Sequence, residues 1–80
     1  MPDTEVKLPP LGKDAPDKAT VSFFFVGEGA QIKEGDDFCE MFTDKATFTV
    51  PSPVSGTLKQ VLVQENESVQ VGQVLAIVET

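Results

Sequence analysis

The sequence predicts a small all-β fold, a barrel or sandwich, and three observations predict it. Eight short runs rich in β-branched and aromatic residues are separated by Gly, Pro, Asn and Asp. No stretch carries apolar residues at helical spacing. The second half of the chain repeats the first in one register. At 80 residues there is room for one domain, spanning 1–80, whose core supplies only marginal stability, so the fold must be regular.

The elements follow in order. Residues 5–8, Glu-Val-Lys-Leu, alternate as a short strand until Pro9-Pro10 ends it, and Leu11 to Lys18 is loop by composition. Residues 19–26, Ala-Thr-Val-Ser-Phe-Phe-Phe-Val, make a second strand. Gly27-Glu28-Gly29 turns into a brief strand at 31–33, and Gly35-Asp36 turns again into 37–43. Beyond Asp44-Lys45, residues 46–50 alternate until Pro51-Ser52-Pro53. Strands at 56–63, 68–70 and 73–79 complete the set, with turns at Glu65-Asn66-Glu67 and Gly72.

An offset of 37 positions places Gly72 on Gly35, Glu65 on Glu28, Val63 on Val26, Val69 on Ile32, Leu75 on Phe38, Val78 on Met41 and Thr80 on Thr43. Apolar and turn positions agree together. This predicts two copies of one β unit, about 19–43 and 56–80, related by a pseudo-two-fold axis and each needing the other to bury its apolar face. The core is expected to hold Val21 or Phe24, with Val26, Ile32, Phe38, Met41, Phe48, Val50, Leu58, Val61, Val63, Val69, Leu75, Ile77 and Val78.

Composition excludes several functions. Thirteen acidic residues against six Lys and no Arg give a net charge of −7, which opposes nucleic acid and acidic lipid and favours a basic partner. With no His, the commonest general base and zinc ligand are missing, so triads and most metal sites fall away. Cys39 is the only cysteine, expected to be a buried apolar side chain in a reducing compartment. No apolar run approaches the roughly 20 residues of a membrane span, and the N-terminus lacks the character of a signal or transit segment.

The informative turn is Asp44-Lys45. Since Thr43 and Thr80 are equivalent in the repeat, the hairpin 43–46 stands where the chain ends in the other copy, and Lys45 projects from a tip of the molecule. Asp-Lys is not the Asn-Gly pair that tight hairpins prefer, so hairpin formation alone does not explain it. A second stretch, Asp17-Lys18-Ala19-Thr20, repeats the letters of Asp44-Lys45-Ala46-Thr47. By the offset, however, Lys18 corresponds to Ser55, in a corner and not at a hairpin tip, so Lys18 is expected to be merely solvated.

Asp44-Lys45-Ala46, with Thr43 before it and Val50-Pro51-Ser52-Pro53-Val54-Ser55-Gly56 after it, resembles the attachment region of lipoyl domains, in the biotinyl/lipoyl-attachment family. The family's aromatic, valine, turn glycine, apolar and second glycine fit Phe24, Val26, Gly29, Ile32 and Gly35, and its second copy fits Val61, Val63, Val69, Gly72 and Leu75. The chain departs from the family at Gly29-Ala30 and Asn66-Glu67, where Gly-Asp is usual, and at Phe42, where Glu is common. Asn66 tolerates the left-handed backbone such a turn needs. Phe42 is expected to fold down onto the sheet.

The resemblance implies a flattened β-barrel or sandwich of two four-stranded antiparallel sheets, with lipoic acid amide-linked to Lys45 between Asp44 and Ala46. It implies a non-catalytic swinging-arm carrier of a 2-oxo acid dehydrogenase complex, as in its dihydrolipoamide acyltransferase subunit. The partners so implied are a lipoate-attaching enzyme, a thiamine-dependent dehydrogenase, the acyltransferase catalytic domain and dihydrolipoamide dehydrogenase. The link between the first two strands, residues 11–18, would lie beside the lipoyl hairpin. A monomer is expected, in the bacterial cytoplasm or, after loss of a transit peptide, the mitochondrial matrix. The alternatives are a biotin carrier, whose family flanks its lysine with methionine where Asp44 and Ala46 stand here, and an unmodified interaction domain of the same fold.

Overall fold

Eight strands form where β-branched and aromatic residues alternate with polar ones: β1 (Asp3–Lys7), β2 (Lys18–Phe24), β3 (Gln31–Ile32), β4 (Asp37–Phe42), β5 (Thr47–Pro51), β6 (Gly56–Val61), β7 (Ser68–Gln70) and β8 (Val74–Glu79). The computed structural model describes residues 2–80. The strands make two four-stranded antiparallel sheets, ordered β1-β8-β6-β3 and β5-β4-β2-β7. The sheets face each other as a sandwich and are not closed into a barrel.

The two orders are the same list under one exchange of halves. β2 and β4 sit in one sheet and β6 and β8 in the other, while the short strands between them cross over: β3 pairs with β6 and β7 with β2. Hydrogen bonds repeat accordingly. Leu58 N–H donates to Ala30 C=O at 2.8 Å, and its counterpart Val21 N–H donates to Glu67 C=O at 2.9 Å. Gly29 stands at φ 91° and Asn66 at φ 70°, and Gly35 and Gly72 stand at φ 91° and 90°. Asn66 therefore adopts the left-handed backbone that glycine holds in the other half.

Register irregularities also recur 37 residues apart. Ser22 in β2 and Lys59 in β6 are extra residues in their ladders, as are Phe38 in β4 and Leu75 in β8. Each such bulge shifts the inward–outward alternation by one residue. Val21 and Phe24 cannot share a face of an unbroken strand, but with Ser22 between them both turn inward: Val21 is fully buried and Phe24 packs edge-on against Phe38 at 5.6 Å. The same shift at Leu75 buries Leu75 and Ala76 together and leaves Ile77 off the core, so the expected place of Ile77 is corrected.

The core comprises Val6, Leu8, Ala19, Val21, Ile32, Phe38, Cys39, Met41, Val50, Leu58, Val63, Val69, Leu75, Ala76 and Val78, with Phe24, Val26, Phe48 and Val61 half-buried against it. Val6 and Leu8 were not among the expected core residues. They belong to it because β1 covers β8 as β5 covers β4: Val6 faces Ala76 and Val50 faces Cys39. Each large side chain so buried contributes roughly 1.5–3 kcal/mol of transfer free energy.

Packing leaves no space at Gly56, where a β-carbon would lie 2.9 Å from Val78 Cγ1 and closer still to the carbonyl oxygen of Glu79. Gly56→Ala should therefore separate β6 from β8 and cost about 1–3 kcal/mol, read as a lower urea midpoint. Burial pushes the Cys39 thiol up to about 12. A raised folded pKa means the native state holds its proton more tightly, so this contribution is whole below the unfolded thiol value near 8.5 and falls as pH rises towards 12. Cys39→Ala should flatten the loss of stability between pH 9 and 11, and a thiol reagent at pH 8 should label the wild-type chain only after unfolding.

Candidate functional site

β4 and β5 are joined by Thr43–Ala46, whose closing bond runs from Thr43 N–H to Ala46 C=O at 2.8 Å. Asp44 and Lys45 are both exposed, and neither has a positive φ. This excludes the two turn types that two-residue hairpins favour, each of which requires a left-handed residue. A side chain reinforces the closure. The Thr43 hydroxyl oxygen accepts the N–H groups of Lys45 and Ala46, each at 3.2 Å, and the hydroxyl lies 3.4 Å from Ala46 C=O.

The Thr43 hydroxyl thus holds the backbone on both sides of the Lys45 side chain, which is exposed and has no ion-pair partner among the described residues. At the opposite end of the repeat the same geometry recurs between chain ends: Thr80 N–H donates to Pro2 C=O at 3.0 Å, and the Thr80 hydroxyl donates to the same oxygen at 3.2 Å. The role of Thr43 was missed in the sequence. Its signal is a Thr immediately before a turn that lacks glycine, a place where a hydroxyl commonly replaces a backbone acceptor.

Two open grooves flank the hairpin. One, of about 280 Å³, is lined by Lys45, Ala46, Thr43 and Phe48 and, across from them, by residues 11 and 13–16. The loop after β1 therefore lies against the lysine. That loop is shaped by a left-handed Asp14 at φ 68° and by Gly12 at φ 124°, with Ala15 N–H donating to Gly12 C=O at 3.2 Å. The other groove, of about 510 Å³, runs between Phe42, Thr43 and Asp44 and the start of β2 with Ser68 of β7.

Phe42 does not fold away. It is 38% exposed, because the β4 register that turns Met41 and Cys39 inward directs Phe42 outward between Thr20 and Thr47. Lys18 also lines the larger groove, so it stands at the hairpin end of the molecule. The pairing of Thr20 with Phe42 carries the start of β2 to that level. Lys18 nevertheless differs from Lys45 in backbone. It lies in a ladder opposite Gln70, not at the apex of a turn.

The Biotin/lipoyl family model, described as "Biotin-requiring enzyme", matches residues 4–78. The chain belongs to the biotinyl/lipoyl-attachment family. Among curated members it is 37% identical over 76 residues to the dihydrolipoyllysine-residue succinyltransferase component of the 2-oxoglutarate dehydrogenase complex of Bartonella vinsonii subsp. berkhoffii, covering 95% of this chain and 18% of that one. It is 30% identical, with the same coverage, to the lipoamide acyltransferase component of the branched-chain alpha-keto acid dehydrogenase complex of Bacillus subtilis strain 168. The chain thus spans less than a fifth of the length of these relatives.

Solved structures agree on the fold. The lipoyl domain of the 2-oxoglutarate dehydrogenase complex from Azotobacter vinelandii superposes with a TM-score of 0.73 at 20% identity, covering 95% of both chains. Urea carboxylase from Kluyveromyces lactis superposes with a TM-score of 0.81 at 14% identity, covering 99% of this chain and 6% of that one. At such identities the likeness establishes the sandwich and not the attached group.

Thr43→Val keeps the shape of the side chain and removes its hydroxyl. It should cost about 0.5–1.5 kcal/mol of hairpin stability, the net range for hydrogen bonds whose exposed donors water can still reach. Faster hydrogen exchange at the amides of Lys45 and Ala46, with core amides unchanged, is the measurement that checks it.

Proposed function

We propose that this chain is a lipoyl carrier domain, with lipoic acid amide-linked to Lys45, and that it works within a 2-oxo acid dehydrogenase complex. The observation that carries the proposal is Lys45 itself, exposed at the apex of a hairpin pinned by the Thr43 hydroxyl and flanked by Asp44 and Ala46. The curated relatives support it, being dihydrolipoyllysine-residue and lipoamide acyltransferase components. They do not favour the biotin alternative, nor does the absence of a flanking methionine at Asp44 and Ala46.

The residues fit such a group. Attachment requires an amine free of partners, and Lys45 has no ion pair among the described residues. The small side chain of Ala46 leaves room for a modifying enzyme, and Asp44 offers it a charge. Forming the amide removes one positive charge, which takes the chain from −7 to −8. When bound, the dithiolane supplies the acyl-transfer and redox chemistry. The protein's part is mechanical: Thr43 keeps the backbone on both sides of Lys45 fixed, so motion is confined to the side chain and whatever it bears. Tethering then raises the local concentration at each partner's site without new contacts.

In this proposal the domain is non-catalytic and forms part of a dihydrolipoamide acyltransferase subunit. It meets a lipoate-attaching enzyme, a thiamine-dependent dehydrogenase, the acyltransferase domain and dihydrolipoamide dehydrogenase, in a bacterial cytoplasm or a mitochondrial matrix. Lys18 does not carry the arm, because its backbone lies in the β2–β7 ladder opposite Gln70 and is not presented at the apex of a turn.

Intact mass after co-expression with a lipoate ligase and lipoate tests the assignment. A lipoyl-sized increment should be present in the wild type, retained in Lys18→Gln and abolished in Lys45→Gln. A biotin-sized increment, or none, refutes it.

A further inference from the structure

The outer face of the β5-β4-β2-β7 sheet carries three exposed aromatic rings. Phe23 is 37% exposed, Phe25 45% and Phe42 38%. Phe23 and Phe25 meet edge to face with centroids 4.9 Å apart, which presents a fixed two-ring platform to solvent. They face outward because the extra residue Ser22 shifts the alternation of β2. On the same face Glu40 stands opposite Phe23, with Thr49 on its other side, and Phe42 stands opposite Thr20 and Thr47.

The repeat supplies an internal comparison. Under the 37-residue offset, Phe23, Phe25 and Phe42 correspond to Gln60, Leu62 and Glu79 on the other sheet. Gln60 follows the same bulge in β6 as Phe23 does in β2, so the fold accepts a polar residue at that position. Aromatic rings at 23 and 42 are therefore not a requirement of folding, whereas at 25 both halves expose an apolar side chain, Phe25 and Leu62 each at 45%. A buried aromatic anchor is the type of residue on which binding energy concentrates.

We propose that this face docks the thiamine-dependent enzyme that acylates the arm, through an apolar patch on that enzyme rimmed by Lys and Arg. The inference rests on the lipoyl-carrier proposal. Charge complementarity selects the partner: the rings lie beside Glu40 and Asp44 on a chain of net charge −7, which attracts a basic rim and repels a second copy of itself. The relatives' complexes differ in their 2-oxo acid, so an enzyme that acts on the 2-oxo acid has carriers to tell apart. Docking on the sheet that ends in the hairpin would hold Lys45 towards that enzyme's site.

The test uses the lipoylated chain as substrate for the thiamine-dependent dehydrogenase of the same organism. Phe23→Gln/Phe25→Gln should raise KM about tenfold or more, the scale of a lost aromatic anchor, with kcat unchanged and with free lipoamide acylated as before. Phe23→Gln alone, the residue already accepted at position 60, should fold as the wild type and raise KM in the same direction. The wild-type KM should rise with salt, as a charge-steered encounter requires. An unchanged KM in both variants overturns the docking face, as does an equal rise on changing Leu62→Gln on the opposite sheet. A wild-type chain that takes no lipoyl group overturns the carrier proposal itself, and the intact mass separates that result from a failure of docking.

Discussion

The structure depends on the exchange of its two shortest strands. β3 and β7 each leave the sheet that holds the longer strands of their own half and complete the ladder of the other, where Leu58 N–H bonds Ala30 C=O and Val21 N–H bonds Glu67 C=O. Neither half can then satisfy its backbone alone, since an unpaired buried amide costs about as much as a lost hydrogen bond. The same exchange brings Phe38 and Leu75, one from each half, into a shared interior. A chain of this size has little stability to spare, and the interlocking makes its folding all or none. At the β3 and β7 edges, strands of 2 and 3 residues also leave little exposed ladder for another chain to extend.

Much of this was legible in the sequence because it is carried by residue types with strong local preferences. Glycines at 35 and 72 mark positive-φ turns and anchored the alignment of the halves, and the structure adds Gly29 and Asn66 as a second such pair at the same offset. The bulges were not legible. Ser22 and Lys59 are ordinary strand residues, and nothing in their chemistry announces that they are extra. Reading an unbroken alternation through them mistakes which face Ile77 takes and forces a choice between Val21 and Phe24 that the molecule does not make. Val6 and Leu8 escaped for a related reason. Their burial comes from β1 pairing with β8 across nearly the whole chain, and a five-residue strand shows no sign of its distant partner.

The candidate site divides in the same way. The exposure of Lys45 follows from its turn and its place in the repeat, both visible in the letters. What holds the turn was hidden, because the Thr43 hydroxyl acts only once Ala46 has been brought back beside it by the β4–β5 ladder. The neighbourhood of Lys18 was hidden too. Its groove with Phe42 and Asp44 exists because β2 and β4 are adjacent, a fact of sheet order that sequence distance does not express.

Where the halves agree, the residues answer to folding; where they part, folding no longer explains the choice. Thr43 and Thr80 use the same two donors towards the same kind of carbonyl, yet one closes a turn bearing Asp44 and Lys45 and the other joins chain ends. The backbone plan thus provides two equivalent tips, and among the described residues Lys45 stands at the turn of one without an ion pair, whereas Lys59 near the other is paired with Asp3. On the sheet that leads to that tip the outward positions are Phe23, Phe25 and Phe42, while on the other they are Gln60, Leu62 and Glu79. Exposing aromatic surface is unfavourable for an isolated domain, and Gln60 and Glu79 show that a polar alternative is structurally open at 23 and 42. Both departures from symmetry fall on one sheet, with the amine at its end and the rings along its face, which is the arrangement expected if the surface that docks a partner is also the one that aims the arm.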